Sequence, residues 1–344
     1  MIYLYPDPGN IYENPIIYWV VTVVAILILL FVVLTIVANS VWLERVGLGR
    51  IQRRMGPNRV GPVGLLQIPA DTVKMVFKES FAPRGVDSII FVIAPAIIVI
   101  TSLAMWAVIP VGVWYDFPYW ISNLNVGVLF IFAMSSMNAY AFLLGGWSSN
   151  NKYSLLGGLR AAAQLISYKL AWALSLLPIF MITHSLRLQD IATYTVQWGP
   201  YNGPIPLVIL APVSFVIFMV AGVAEINRAP FDLPEAEQEL IGGYLTEYSG
   251  LKFLCFYIGE YVAMLTASTL VPLIFFAGWY LWVVPPFLAL FLKVLFFLLL
   301  YILLRSTVPR LRYDQLMRLG WKVLLPLALA NVMVTAVVLV AVGG

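Results

Sequence analysis

IIYWVVTVVAILILLFVVLTIVA, residues 16–38, is the stretch that decides the fold. It contains no Asp, Glu, Lys or Arg, and it matches the ~20 residues that an α-helix needs to cross the hydrocarbon core of a bilayer. The pattern recurs, and charge-poor apolar stretches can be drawn at 16–38, 89–113, 125–147, 161–183, 206–224, 253–277, 281–304 and 323–342. The chain has 344 residues, 62% hydrophobic and 10% charged, where soluble domains carry about 45–50% and ~25%. Lipid is its main solvent. The sequence predicts one all-α, polytopic transmembrane domain spanning 1–344, with eight helices crossing the membrane. Between the sixth and seventh spans only Gly278, Trp279 and Tyr280 intervene, which predicts a tight interfacial hairpin.

Eight spans place loops 39–88, 148–160, 225–252 and 305–322 on one side. Every Lys and Arg falls in these loops except Arg187 on the other side and Lys169 and Lys293 within spans. Basic loops stay in the cytoplasm, so the expectation is a multi-pass membrane protein with both termini outside. The first run is longer than a signal-peptide core and follows acidic Asp7 and Glu13, so it reads as a retained span. Two of the cytoplasmic loops are too long to be plain connectors. In the first, glycines and prolines from Gly47 to Gly64 punctuate a basic segment. Ala70, Val73, Val76 and Phe77 then repeat at helical spacing opposite Asp71, Lys74 and Lys78, which predicts an amphipathic surface helix.

A single cysteine, Cys255, and a single histidine, His184, exclude a disulfide framework, a Cys-ligated cluster, a structural zinc site and a self-contained haem or copper site. The expectation is a chain with no metal and no redox centre of its own. Phosphate-binding, dinucleotide and nucleophile-elbow motifs are missing as well. His184 reads as an interfacial residue and Cys255 as a small apolar filler. Basic residues beside spans follow from topology and give no reason to expect nucleic acid.

The second long loop concentrates Glu225, Asp232, Glu235, Glu237, Glu239 and Glu247. Glu235 and Glu239 share a helical face as an i, i+4 pair and would titrate together. A solvated acidic patch is the plain reading. Against it, Pro230 and Pro234 stiffen the segment, Gly242 and Gly243 break it, and Phe231, Leu233 and Leu240 alternate with the acids. Glu260, Lys169 and Lys293 lie inside spans, where a charge costs about 2.5–3.5 kcal/mol and so points to function. Lys169 can partly recover that cost by snorkelling; the shorter Glu260 cannot, which argues for a polar path around it.

In order along the chain stand LERVGLGRIQRRMGPNRVGPVGLLQ (43–67), ADTVKMVFKE (70–79), SSNNKYSLLGGLRAAAQLISY (148–168), AEINRAPFDLPEAEQELIGGYLTEYSG (224–250), GEYVAM (259–264) and RSTVPRLRYDQLMRLGWKVLLPLALAN (305–331). Together they resemble the H-subunit family of respiratory complex I, the proton-translocating NADH-quinone oxidoreductase. The resemblance implies an eight-helix, non-redox subunit beneath an arm whose other subunits carry flavin and iron-sulfur clusters, beside small membrane subunits and antiporter-like subunits. It also implies that the chain builds much of the chamber for a quinone substrate, with the first span, the amphipathic helix and the sixth span framing its entrance. By motif match Glu44, Arg45, Arg54, Asp71, Arg228 and Glu235 line or support that chamber. Glu225, Glu235, Glu237, Glu239, Glu247 and Glu260 match the family's proton path.

One departure concerns that path. The family usually reads SYE after this SNNKYSLLGGLR motif, whereas this chain reads Ser167, Tyr168, Lys169. Lys169 either relays protons or clamps a carboxylate such as Glu225. At Val46 the family often carries a third charged residue. Alternative readings are the membrane subunit of an energy-converting hydrogenase, a ferredoxin-dependent relative, or a free-standing ion transporter. The long match through GPNRVGP and RYDQLM speaks against the hydrogenase.

Overall fold

The computed structural model describes residues 15–111, 113–114, 117–118, 121–198, 201–204, 206–234, 241–281 and 284–342. The fold class is all-α, with seven helices long and apolar enough to cross a membrane and a shorter apolar helix, Pro212–Glu225, among the described residues. Eight segments were expected; the fifth of them is this shorter helix.

The first helix, α1 (Pro15–Ile51), runs 37 residues, roughly 55 Å at helical rise, and so exceeds a bilayer core. The helix continues past residue 38, where the expected span ends. Val33, Val37, Val41 and Glu44 form one buried stripe at helical spacing, so packing carries the helix beyond the apolar run. Glu44 and Arg45 therefore stand on a helix and not in a loop. The predicted amphipathic helix is α2 (Gln67–Phe77). It exposes Val73, Val76 and Phe77, buries Ile68 and presents Asp71 to α1.

Helices α3 (Ser88–Ala104), α4 (Gly127–Ser148) and α5 (Lys152–Thr183) pack in sequence. The α4–α5 hairpin closes backbone to backbone: a Cβ on Gly146 would meet Ser154 O at 2.5 Å and Gly158 Cα at 3.1 Å. The fifth span is broken into α7 (Leu207–Leu210), which follows the short α6 (Leu188–Ala192), and α8 (Pro212–Glu225). The break falls at Ala211, before a proline that has no N–H to continue the helix.

The sixth span, α9 (Gly250–Phe275), is buried along most of its length against α1, α2, α3 and α10 (Pro286–Thr307). The tight hairpin expected at 278–280 is wider. Residues 276–285 separate the two helices because Pro285 and Pro286 set the start of α10. The eighth span begins early, with α11 (Tyr313–Arg318), a π-helical turn at Leu319–Leu324 and α12 (Leu325–Val342) in one continuous run. Two short antiparallel ladders, β1 (Val113–Trp114) with β2 (Phe117–Pro118) and β3 (Thr195–Trp198) with β4 (Tyr201–Pro204), lie in connections between helices. His184 ends α5 in a left-handed conformation and is exposed.

Candidate functional site

A cleft of about 850 Å³ opens between α1, α2 and α9. Its walls are mostly apolar, with Phe31, Leu34, Ile68, Leu254 and Ile258 among them, and Arg45, Asp71 and Lys74 supply charge. Arg45 Nη1 donates to Asp71 at 2.6 Å and fastens α2 to α1. Gln67 donates to the other carboxylate oxygen at 3.0 Å, and Lys74 lies 3.5 Å away. Partial burial pushes the Asp71 carboxyl upward, but the hydrogen bonds from Arg45 and Gln67 and the charges of Arg45 and Lys74 outweigh it and hold Asp71 below its ordinary range.

Tyr257 and Tyr261 also line the cleft, and Tyr261 is buried. Behind them the structure assembles charges from four segments. Glu44 on α1 is buried and pairs with Arg305 at the end of α10 and with Arg228 at 3.5 Å. Arg228, just after α8, also reaches Glu260 on α9 at 3.8 Å and lies over the Tyr261 ring, 4.2 Å from its centroid. The Tyr261 hydroxyl donates to Glu44 Oε2 at 2.8 Å, and the Tyr244 hydroxyl donates to Glu260 Oε1 at 2.5 Å. Charges removed from water at this depth persist because each faces an opposite charge, and both carboxylates also accept a tyrosine hydroxyl. A small cavity lies against Glu44, Arg228 and Arg305.

Other residues hold the second long loop in place. Gln164 Nε2 on α5 donates to Ala224 O (2.9 Å), Asn227 Oδ1 (3.1 Å) and Phe231 O (2.9 Å). Arg310 Nη2 pairs with Asp232 at 2.9 Å. The aromatic and aliphatic residues that alternate with the acids, Phe231 and Leu233, are buried; Leu240 lies outside the described residues. Glu247 accepts from Asn151 Nδ2 at 2.6 Å at the start of α5. Gly157 on α5 backs the 243–245 turn so closely that a Cβ there would meet Gly243 Cα and Tyr244 N at 2.7 Å.

The expected residues thus fall into separate groups. Glu44, Arg228 and Glu260 form one cluster, Arg45 and Asp71 sit on the cleft, and Glu225 pairs with Lys169 between α8 and α5. Arg54 stands apart on the exposed turn after α1, bonded to Gln52 at 2.8 Å. Glu235, Glu237 and Glu239 lie outside the described residues. Sequence reading missed Arg305, Tyr261, Tyr244 and Gln164. Of these, Tyr261 and Tyr244 stand in motifs that also hold a buried charge, whereas Arg305 and Gln164 do not. Among the described residues no group of three or more His, Cys, Asp or Glu is placed to hold a metal ion.

Fold and cluster together define a multi-pass membrane protein with paired charges buried between its helices. A family model described as NADH dehydrogenase matches residues 24–336. A Syntrophobacter fumaroxidans protein, the second NADH-quinone oxidoreductase H subunit named in that organism, is 48% identical over 322 residues, 92% of this chain and 95% of that protein. The first such H subunit of Geobacter metallireducens is 47% identical over 319 residues, covering 91% and 95%. NADH-quinone oxidoreductase subunit 8 of Thermus thermophilus is 46% identical over 325 residues, covering 93% and 87%. The chain belongs to the NADH dehydrogenase family, in its H-subunit branch.

Proposed function

We propose that this chain is a non-redox membrane subunit of a proton-translocating NADH-quinone oxidoreductase, that it forms much of the quinone chamber, and that it couples quinone reduction to proton movement. The observation that carries the proposal is the 850 Å³ apolar cleft lined in part by Tyr257 and Tyr261, with the Glu44–Arg228–Glu260 cluster directly behind. Apolar walls suit an isoprenoid tail, and a few convergent polar groups suit a head group. Glu44, Arg45, Arg54, Asp71, Arg228 and Glu235 are the chamber residues.

Reduction of a quinone takes two electrons and two protons. The electrons arrive from cluster-bearing subunits that, with a flavin subunit, form the arm above. Charge that builds on the head group biases Arg228 and, through it, Glu44 and Glu260. The path then runs through Glu225, Lys169, Glu235, Glu237, Glu239, Glu247 and Glu260 towards small and antiporter-like membrane partners, a coupling of free energies between two sites. The loops that carry nearly all the Lys and Arg face the cytoplasm, in a prokaryotic cytoplasmic membrane with both termini outside.

The test is the whole complex in proteoliposomes carrying Glu260→Gln or Glu237→Gln. Quinone-coupled proton translocation should fall while NADH oxidation by an artificial acceptor persists. Full coupling in an assembled Glu260→Gln complex contradicts the reading.

A further inference from the structure

Lys169 and Glu225 form an ion pair between α5 and α8, with side chains 14% and 8% exposed. Lys169 stands near the middle of the 32-residue α5, the most expensive place for a charge in a spanning helix. Its ammonium has three donors, and each is met. One goes to Glu225 Oε1, one to Ser135 Oγ on α4 at 2.6 Å, and the face of Trp172 lies 5.3 Å away. The Ser135 hydroxyl in turn donates to Phe132 O at 3.1 Å, so its proton points at a backbone carbonyl and not back to the lysine. This is a settled cation with no onward hydrogen-bond chain through Ser135.

Glu225 is less complete, since its Oε2 is buried and accepts no hydrogen bond. That atom looks like a landing place for a proton. Protonation there would neutralise the carboxylate and leave Lys169 as an uncompensated cation among helices, a change far less favourable than leaving the pair intact. The pair therefore resists the step that a proton carrier must make.

We propose that Lys169 is a positioning residue that holds Glu225 as a permanent carboxylate, so that the pair is a fixed, charge-neutral post within the coupling path and carries no protons. The proposal rests on the coupling function above and assigns these two members a static role in it, while Glu260 and the loop acids change protonation. No bond forms or breaks in the post.

The experiment uses the assembled complex in proteoliposomes with Lys169→Met, Glu225→Gln, the double variant and Lys169→Arg. Readouts are protons translocated per electron and the redox-induced infrared difference spectrum in the protonated-carboxyl region. Either single neutralisation should lower the proton yield, the double variant should recover it, and Lys169→Arg should retain it. No carboxyl band present in the wild type should vanish in Glu225→Gln. A double variant no better than Glu225→Gln, an undiminished yield in Lys169→Met, or a redox-dependent band that Glu225→Gln abolishes overturns the proposal. Should Lys169→Met fail to assemble, the double variant should still do so, and its failure too counts against a neutral post. Undiminished coupling in Glu260→Gln sinks the coupling function instead, which separates the two failures.

Discussion

The Tyr261 hydroxyl donates to Glu44 Oε2 at 2.8 Å, joining α9 to α1 across 217 positions of sequence. The same ring lines the cleft and lies beneath the Arg228 guanidinium. One side chain is thus both the wall of the apolar space and a ligand of the charge cluster behind it. Tyr261→Phe keeps the wall and removes the hydrogen bond, leaving a buried acceptor oxygen short of a donor, a loss of about 1–3 kcal/mol. The KM for a short-chain quinone should rise severalfold while oxidation of NADH by an artificial acceptor is unchanged. An unaltered KM separates the cleft from the cluster.

Glu44 answers both Arg228 and Arg305. Glu44→Gln keeps the shape and removes that countercharge, and breaking a buried ion pair costs on the order of 3–5 kcal/mol. The purified complex should melt earlier and lose quinone reductase activity. Arg228 keeps its contact with Glu260 at 3.8 Å, so the fold should survive. A wild-type melting curve would show that the pairing carries little energy.

The Arg45–Asp71 contact has a defined pH signature. Because the Asp71 carboxyl lies below its ordinary range when folded, its contribution is complete above the unfolded value and is lost as pH falls through the folded one. Hydrogen-exchange protection factors over residues 67–77 in the intact complex, corrected for the intrinsic pH dependence of exchange, should stay high at neutral pH and fall in acid, below the usual carboxylate range. Asp71→Asn should show fast exchange already at neutral pH, with a flatter profile. An acid response unchanged by Asp71→Asn would assign it to another group.

Gly157→Ala places a methyl group within 2.7 Å of the Gly243 and Tyr244 backbone, where only a shift of the turn makes room. Tyr244 would then leave Glu260, to which it donates at 2.5 Å. Weaker assembly and reduced coupling should follow, partly relieved at lower temperature. Full activity in Gly157→Ala would mean that the turn yields without disturbing Glu260.

The membrane-spanning character was legible from apolar runs alone, because the cost of exposing polar groups to lipid leaves few alternatives. Helix ends were not. Buried stripes such as Val37, Val41 and Glu44 carry α1 into charged sequence, and Pro212 and Pro286 reset starts that hydropathy had placed elsewhere. Glu44, Arg228 and Glu260 stood out as charges in apolar or motif-rich surroundings. Their partners Arg305 and Tyr261 did not, since an arginine at a helix end and a tyrosine in a span have common explanations of their own. Contacts between residues so far apart in sequence are set by packing, which periodicity does not encode.

The most direct measurement is photolabelling of the intact complex with an azidoquinone, followed by mapping of the modified residues. Labels should fall on α1, α2 and α9 around Tyr257 and Tyr261, be displaced by unmodified quinone, and weaken in Tyr261→Ala. Displaceable labelling confined to surfaces away from those three helices would contradict the claim that this cleft admits the quinone.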